Sequence, residues 1–426
     1  MDNSTVRAVN RLTTRWAAQV PAGDAGTVFT AAGVWPLLAL LADGSGEQVP
    51  AGDAGTVFTA AGVWPLLALL ADGSGGPARA ELAEALGIPA EAAAEGARDL
   101  LAGLAGVRGL EAATGLWTKA GLPLRESWSA KLPAGARGLL TGDEDTDRKT
   151  LDGWASDRTG GLIDRMPVAL PQGAEEVKLV LASALVLRLR WEEPFREVPG
   201  RAGQGPWSGR NLGRLSRTTA SLDEVRVAQG TAGAVTVLEL AGTEDVDVHL
   251  LLGGPAAPAG GVLGTGIAAV TGTVPSVTGS SLPDGDPGPG LTIRTEDSFR
   301  PQPLLRIDTV AFSLRAEHDL LDHAPLFGLG TAGDADYGHF PGISPQPLAI
   351  GSAQQSVLAR FHAAGFEAAA VTAIGPRAGG AAPRTKYRAR RAEVRFDRPF
   401  GFLAVHRSSR LVLAAGWVAE PDTVAG

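Results

Sequence analysis

Apolar residues change their spacing along the chain, and the spacing predicts helices and strands in turn. In residues 77–88, Leu82, Ala85 and Leu86 recur at helical intervals and share one face. Residues 177–191 instead carry a dense run of valine, leucine and alanine, which is typical of a central strand. The predicted helices lie at 1–18, 77–88 and 151–166, and the predicted strands at 110–117, 177–191, 234–242, 246–252, 396–405 and 411–418.

A tract rich in Gly, Pro, Ser and Thr at 253–291 interrupts this pattern and predicts a flexible connection. It contains GTGIAA from Gly264, and a related GLGTAG lies at 328–333. Such glycines cradle a phosphate only between a strand and a helix, where amide dipoles face the pyrophosphate. The first motif lacks the preceding strand, because PAAPAGG stands there, and the second lacks the following helix, because DADYGHFPGIS stands there. We therefore expect no nucleotide and no other cofactor.

The stretch AAGFEAAAVTA at 363–373 precedes the last predicted strand pair. Its alanines and glutamate favour a helix when the stretch is read in isolation. Gly365 interrupts that pattern, Val371 and Thr372 are β-branched, and several glycines and prolines follow. An extended segment of small side chains fits the sequence better. Because it must bridge to the strand at 396–405, we expect it to be exposed, where a protease would meet it first.

Length and composition narrow the class of protein. The 426 residues suit one large domain or two ordinary ones, and we favour a single domain over 1–426. A net charge of −8 and an isoelectric point near 5.4 argue against a nucleic-acid partner, because phosphate binding needs a basic surface. The chain has no cysteine, which excludes disulfides and thiol catalysis. We expect a monomer.

The sequence shows no targeting or membrane signal. Residues 1–18 predict an amphipathic helix and contain no apolar run of signal-peptide type. No later run reaches the roughly twenty apolar residues that a membrane helix needs. We expect a cytoplasmic protein that does not contact a membrane, and export by another route stays open.

Motifs for enzyme chemistry are missing from the sequence. It contains no G-x-S-x-G elbow and no H-E-x-x-H motif, and its six histidines are scattered. His318 and His323 are five residues apart and off a common helical face, so the pair predicts a solvated turn and not a metal site. We expect no catalytic residue, no bound metal and no enzymatic activity.

A segment of 28 residues occurs twice without a change, at 19–46 and at 48–75. Two copies are too few for a solenoid, which needs three or more stacked units. A fold that uses one copy must leave the other outside. The second copy runs directly into the predicted helix at 77–88, so we assign it to the body. Residues 19–47 are then expected to be an insertion on the surface.

Three stretches together resemble the serpin family of serine protease inhibitors. They are WEEPF at 191–195, GFEAAAVT at 365–372, and FDRPFGFL with the closing LVLAAGWVAEP. The resemblance runs from about Gln48 to Pro421. It implies an α+β fold of about nine helices around three β-sheets, with an exposed reactive-centre loop. It also places Trp191 at the end of the main sheet where that loop enters.

The resemblance implies a mechanism and a set of site residues. An inhibitory serpin offers its loop, here 363–395 with the hinge, to a serine protease, which cuts it and is held as an acyl-enzyme when the freed loop inserts as a new strand. Gly379 and Gly380 match the family's scissile position, with Arg377 and Arg384 as alternatives. The hinge residues are Gly365, Phe366, Glu367, Ala368, Ala369, Ala370, Val371 and Thr372.

The residues around the scissile position indicate which serine proteases are expected as partners. Glycine suits elastase-like or subtilisin-like pockets, whereas trypsin-like proteases need a cation. The basic cluster at 384–391 predicts either a solvated loop or a docking site.

Departures from the family pattern leave a second function open, and Phe366 and the length of the loop favour it. Phe366 stands where Thr or Ser is usual, so insertion would have to bury an aromatic ring. Gln355 replaces the usual His and Gly62 the usual Ser, which predicts the loss of hydrogen bonds that hold the sheet. The alternative function is that of a non-inhibitory serpin acting as a binding or carrier protein.

Overall fold

The computed structural model describes residues 1–20, 55–132, 136–168, 179–203, 205–334, 338–366 and 387–424. Over these ranges the chain forms eight α-helices and three β-sheets, where the resemblance implies about nine helices and three sheets. The expected α+β fold class is therefore confirmed.

The helices of the described chain include two that the apolar pattern predicts, at 1–18 and 77–88. Asp2 caps the first by accepting hydrogen bonds from the N–H groups of Ser4 and Thr5. Gly87 ends the second in a left-handed conformation, with φ of 69°. The helices are α1 Asn3–Ala17, α2 Ala60–Gly73, α3 Gly76–Leu86, α4 Ala90–Ala105, α5 Glu126–Ser129, α6 Glu144–Arg158, α7 Ala259–Val270 and α8 Ala324–Phe327.

The predicted helix at 151–166 is placed too late in the chain. Helix α6 begins at Glu144, because the Asp143 side chain accepts a hydrogen bond from the N–H of Thr146. It ends at Arg158, before two glycines with positive φ. The apolar pattern missed the start of α6 because its first turn is acidic and carries no apolar residue.

Within the described ranges, twenty strands form the three sheets. They are β1 Gly55–Phe58, β2 Leu110–Lys119, β3 Arg137–Leu140, β4 Leu179–Leu187, β5 Leu189–Arg190, β6 Arg196–Val198, β7 Arg214–Thr219, β8 Val225–Gly230, β9 Gly233–Ala241, β10 Val246–Leu252, β11 Ser276–Thr278, β12 Gly285–Gly288, β13 Leu291–Ser298, β14 Leu304–Val310, β15 Phe312–Asp319, β16 Ile350–Phe361, β17 Gly365–Phe366, β18 Tyr387–Arg395, β19 Phe400–His406 and β20 Val412–Val418. Sheet A has the order β3-β2-β4-β16-β17-β5, with β15 also paired to β16. Sheet B has the order β1-β20-β19-β10-β9-β8-β11, and sheet C has the order β12-β13-β18-β14-β7-β6.

The predicted strand pairs of sheet B are confirmed. Strands β9 and β10 pair antiparallel, and so do β19 and β20. Strand β10 also pairs with β19, so the last strands of the chain lie inside the sheet. The predicted strand at 177–191 is divided into β4 and β5 at Arg188, whose N–H donates to the carbonyl oxygen of Gly109. All nine residues of β4 are buried, as the dense apolar run predicts.

The prediction of a flexible connection at 253–291 is wrong. The tract contains α7, β11 and β12, and α7 packs on sheet B. Gly266 allows this packing, because a Cβ there would lie 2.2 Å from Cδ1 of Leu251. The GTGIAA motif lies inside α7 and not before it. The glycines therefore serve the close approach of a helix to a sheet.

The second copy of the repeated segment forms β1 and α2. Strand β1 pairs with β20 at the edge of sheet B, and α2 is buried along nearly its whole length. The indole N–H of Trp64 donates to the carbonyl oxygen of Leu86 at 3.2 Å, which ties α2 to α3. Apart from Gln19 and Val20, the first copy lies outside the described residues.

Deleting residues 19–47 is expected to leave thermal unfolding nearly unchanged. The deletion joins Ala18 to Gln48, so the sequence after α1 reads as before and the buried copy is retained. Calorimetry of the two chains measures the effect. A fall in melting temperature of several degrees would show that residues 19–47 support the fold.

Candidate functional site

The hinge begins as a short strand at one end of sheet A. In β17, Phe366 stands opposite Phe361 of β16 and Leu189 of β5. The chain reaches this position through a tight turn, because the N–H of His362 donates to the carbonyl oxygen of Gly365 at 2.9 Å. The first two hinge residues are therefore extended and paired on both sides.

The later hinge residues and the candidate scissile residues lie outside the described part of the chain, and their roles stay predictions. They are Glu367, Ala368, Ala369, Ala370, Val371 and Thr372 of the hinge, and Arg377, Gly379, Gly380 and Arg384 of the loop. The described chain resumes at Tyr387 as β18, inside the segment 363–395 that the sequence assigns to the hinge and loop. Arg388, Arg390 and Arg391 of the basic cluster thus lie on a strand of sheet C.

Beyond the hinge, sheet A is closed, which means that no strand separates β4 from β16. Strands β4 and β16 pair directly and in parallel, from Ile350 opposite Leu179 to Leu358 opposite Val186. A strand that continued β17 would lie between them, so it can enter only after they separate. Each of the two strands would then exchange its hydrogen bonds for bonds to the new strand.

The segment WEEPF holds the turn that precedes the hinge. The indole N–H of Trp191 donates to the carbonyl oxygen of His362 at 2.9 Å. The backbone N–H of Phe195 donates to the carbonyl oxygen of Ala363 at 2.8 Å. The Trp191 ring also packs on Phe361, with ring centroids 5.0 Å apart. Trp191 therefore lies beside the hinge at the end of sheet A.

Both hinge residues of β17 are fitted closely to their surroundings. A Cβ on Gly365 would lie 2.2 Å from the carbonyl oxygen of Leu189, so only glycine allows this approach. The side chain of Phe366 is 1% exposed, and its ring lies 6.0 Å from that of Phe402. The expectation that insertion must bury this ring is wrong, because the ring is buried while β4 and β16 are still paired.

Gln355 joins β16 to the chain in front of α2. Its side-chain oxygen accepts from the N–H of Thr59 and its amide nitrogen donates to the carbonyl oxygen of Thr59, each at 2.9 Å. Both groups are buried. The sequence predicts a loss of hydrogen bonds here, and that prediction is wrong, because the longer amide side chain satisfies both backbone groups.

His318 lies on β15 directly opposite Gln355. Its Nε2 is 2.8 Å from the carbonyl oxygen of Val57 and donates to it, which ties β15 to β1. Burial lowers the pKa of His318 below its ordinary value, so the ring is neutral at physiological pH. The predicted solvated turn is therefore wrong for this residue. Sequence reasoning missed it because the strand partner of a histidine cannot be read from local spacing.

Gly62 and Ser183 form a size-matched pair between α2 and β4. A Cβ on Gly62 would lie 2.4 Å from the Oγ atom of Ser183. That Oγ atom is buried and accepts or donates no hydrogen bond within the described part of the chain. Glycine is therefore needed at position 62, because any larger side chain would collide with the hydroxyl of Ser183.

Replacing Gly62 with Ala is expected to destabilise the fold by about 1–2 kcal/mol, because overpacking outweighs the better helix propensity of alanine. Ser183→Ala alone should be neutral or stabilising, since it removes an unbonded hydroxyl. The double variant should be at least as stable as the native chain. Urea unfolding of all four proteins measures the coupling. Additive effects of the two changes would contradict the pairing.

Helix α6 covers the other face of sheet A. The ring of Trp154 meets that of Trp117 on β2 edge to face, with centroids 4.7 Å apart. Leu151 and Ala155 of the same helix are buried in a cluster with alternate residues of β4. A strand added between β4 and β16 would widen the sheet beneath this helix, so α6 must shift when the sheet opens.

Arg217 is a site residue that sequence reasoning missed. Its guanidinium lies 5.2 Å from the ring centroid of Phe195 and donates to the carbonyl oxygen of Glu193 at 2.8 Å. It also pairs with Glu224. Because Arg217 belongs to β7, these contacts place sheet C beside the hinge end of sheet A.

The described residues hold no group of three or more His, Asp or Glu side chains arranged to bind a metal ion. None of the helices within the described ranges is long and apolar enough to span a bilayer. The groups gathered around β17 are backbone amides and carbonyl oxygens, which pair β17 with β16 and β5.

Three solved structures share this fold at low sequence identity. The thermophilic serpin tengpin in its native state is 13% identical, with a TM-score of 0.69 over 99% of this chain and 95% of that chain. Human thyroxine-binding globulin in complex with its ligand is 14% identical, with a TM-score of 0.67 over 99% and 98%. Native protease nexin-1 with heparin is 14% identical, with a TM-score of 0.62 over 87% and 93%. At such identities the likeness concerns the fold alone.

The sequence itself identifies the family. No curated protein sequence matches the chain. The family model for serpins, the serine protease inhibitors, matches residues 47–202 and 307–421. These ranges contain the closed strands of sheet A, the WEEPF segment and the hinge. The chain therefore belongs to the serpin family.

Proposed function

We propose that this serpin inhibits a serine protease as a suicide substrate. The observation that supports the proposal is the state of sheet A, in which β4 and β16 are paired while β17 begins a further strand at their end. A cut in the loop frees its hinge side to continue β17 into the sheet. The attached protease is then carried along as an acyl-enzyme, and the serpin contributes no catalytic residue.

The register of β17 predicts which side chains the inserted strand buries. Phe366 stands opposite Phe361, so each later hinge residue pairs one position earlier on β16. Every second residue, namely Ala368, Ala370 and Thr372, then faces the core with Phe366. The residues of β16 beside those positions are at most 2% exposed. Small side chains suit this space, because a large or charged group would have to displace packed neighbours.

The bond between Gly379 and Gly380 is the proposed scissile bond, with Arg377 and Arg384 as alternative positions. Glycine indicates an elastase-like or subtilisin-like target, and arginine a trypsin-like one. The mass of the C-terminal peptide released on cleavage distinguishes them. The cytoplasmic location and the monomeric state stay predictions from the sequence.

A carrier or binding function is the second candidate. Thyroxine-binding globulin, which shares the fold, is described in complex with thyroxine. In this chain a cleft of about 470 Å³ lies between α4, β2 and α6, a volume within the usual range for small-molecule sites. Leu101 and Trp154 contribute apolar walls, and Arg98 and Arg158 contribute charge. These residues favour an apolar ligand that bears an anion.

A panel of trypsin-, elastase- and subtilisin-like proteases separates the two functions. We expect a complex that survives denaturing gel electrophoresis with at least one protease, because an acyl-enzyme is covalent. The same proteases with their active-site serine blocked serve as the control and should form no such band. Complete clipping of the serpin without a stable complex, by every protease in the panel, would contradict the inhibitory proposal and favour the carrier.

A further inference from the structure

Strand β18, which follows the reactive loop, is an interior strand of sheet C. Strand β13 pairs with it antiparallel over eight residues, from Leu291 opposite Val394 to Ser298 opposite Tyr387. On the other side β14 pairs with it in parallel, and that pairing begins only at Arg391. The four residues of β18 nearest the loop are therefore paired by β13 and not by β14.

The link between β13 and β14 crosses the face of β18. Residues 299–303 connect strands that lie on opposite sides of β18. The guanidinium of Arg391 on β18 donates to Ser298 Oγ and, at 3.4 Å, to the carbonyl oxygen of Gln302. Ala389 is only 4% exposed. Strand β18 is thus paired with β13 along nearly its whole length, paired with β14 from Arg391 onward, and crossed on one face by the link.

The enclosing segment, residues 285–303, is called the β18 clamp. It lies within residues 203–306, which the serpin family model does not match. Strand β13 is well anchored, because the side chains of Leu291 and Ile293 are buried. The N–H of Thr295 points away from β18 and donates to the side-chain carboxylate of Asp284 at 2.9 Å. The N–H of Arg395 on β18 donates to the carbonyl oxygen of Gly290 at 2.9 Å.

The length of the loop limits how far the uncut loop can insert while β18 stays in sheet C. Continuing the register of β17 one residue at a time brings residue 377 opposite Ile350, at the far end of β16. The residues from 378 to 386 would then have to return to Tyr387. The ten steps from residue 377 to Tyr387 span at most about 35 Å, whereas the eleven steps along β16 from Ile350 to Phe361 cover about 37 Å. Because sheet C lies beside the hinge end of sheet A, an uncut loop reaches full depth only if β18 leaves sheet C.

We propose that the β18 clamp prevents the uncut loop from inserting, so that cleavage is the only route to a sheet A in which the loop lies between β4 and β16. Cleavage separates the hinge side of the loop from β18, and the clamp then no longer restrains it. This inference rests on the proposed inhibitory function. Its consequence is that the serpin does not inactivate itself by spontaneous insertion.

Glu296→Pro tests the clamp, with Asp297→Pro as the matched control. N–H groups alternate between the two edges of a strand, and that of Thr295 points away from β18. The N–H of Glu296 therefore points toward β18 and that of Asp297 points away. Uncut proteins are incubated a few degrees below their melting temperature. Conversion of the uncut protein to the form with an inserted loop is followed as a gain in thermal stability. Mass spectrometry confirms that the chain stays intact.

We expect Glu296→Pro to convert at least tenfold faster than Asp297→Pro, and the native chain not to convert. Equal rates for the two variants, or conversion of the native chain, would overturn the clamp. If protease-cut native protein also gains no stability, the proposed function fails and the clamp with it. Hydrogen exchange in the native chain adds a test without substitution. The amide of Ala389, which points toward β13, should exchange as slowly as those of β14, and rapid exchange there would contradict the clamp.

Discussion

Limited proteolysis within residues 367–386 is expected to raise the melting temperature of this serpin by about 10 °C or more. The cut frees the hinge side of the loop to continue β17 between β4 and β16. Calorimetry of cut and uncut protein measures the change, and mass spectrometry confirms a single cut. An ordinary protein would be destabilised by the same nick, so the sign of the effect is diagnostic.

The expected size follows from backbone hydrogen bonds. About ten inserted residues would form about twenty bonds as an interior strand, and they would replace roughly eight bonds between β4 and β16. At about 1 kcal/mol each, the additional bonds stabilise the fold by about 12 kcal/mol. An unfolding entropy of about 2.1 cal/mol/K per residue gives about 1 °C for each kcal/mol in a chain of 426 residues. A cut protein that melts at or below the temperature of the uncut protein would refute loop insertion.

Ala370→Arg is expected to turn the inhibitor into a substrate. In the register of β17 this side chain would face the core opposite Val357, which is 1% exposed. Burying an unpaired guanidinium costs at least about 3 kcal/mol, which slows insertion by about 100-fold or more. Deacylation then precedes insertion, and the protease leaves. Gel analysis should show clipped serpin in place of the stable complex, with no gain in melting temperature after the cut.

Ala369→Arg is the matched control for this substitution. It introduces the same charge one residue earlier, on the opposite face of the inserted strand. There its neighbour would be Leu358, which is only partly buried, so the guanidinium can reach solvent. We expect it to retain at least about half of the stable complex. Equal loss in the two variants would mean that the register deduced from β17 does not continue into the sheet.

Local signals predicted several elements correctly because their physical causes are local. The helical spacing of Leu82, Ala85 and Leu86 and the capping residue Gly87 lie within one short segment. The strands at 234–242 and 246–252 follow each other closely and pair as a hairpin. The WEEPF and hinge motifs also stand in short stretches, so the family resemblance could be read from them directly.

Other features could not be read from the sequence because they depend on partners far along the chain. The hydrogen bonds of Gln355 to Thr59 join residues almost 300 positions apart. Gly266 looks like part of a flexible tract until Leu251 is placed against it. The pairing of β13 with β18 joins segments that are about 95 residues apart and carry no shared motif.

The amino-acid order alone was enough to indicate a serpin with small side chains in its hinge, because these properties belong to single residues and their immediate neighbours. Only the folded chain showed that Phe366 is already buried, that β4 and β16 are closed, and that β18 is enclosed by a clamp. Each of these depends on which distant strands lie side by side. Burial and backbone pairing are properties of such contacts, and spacing along one segment does not record them.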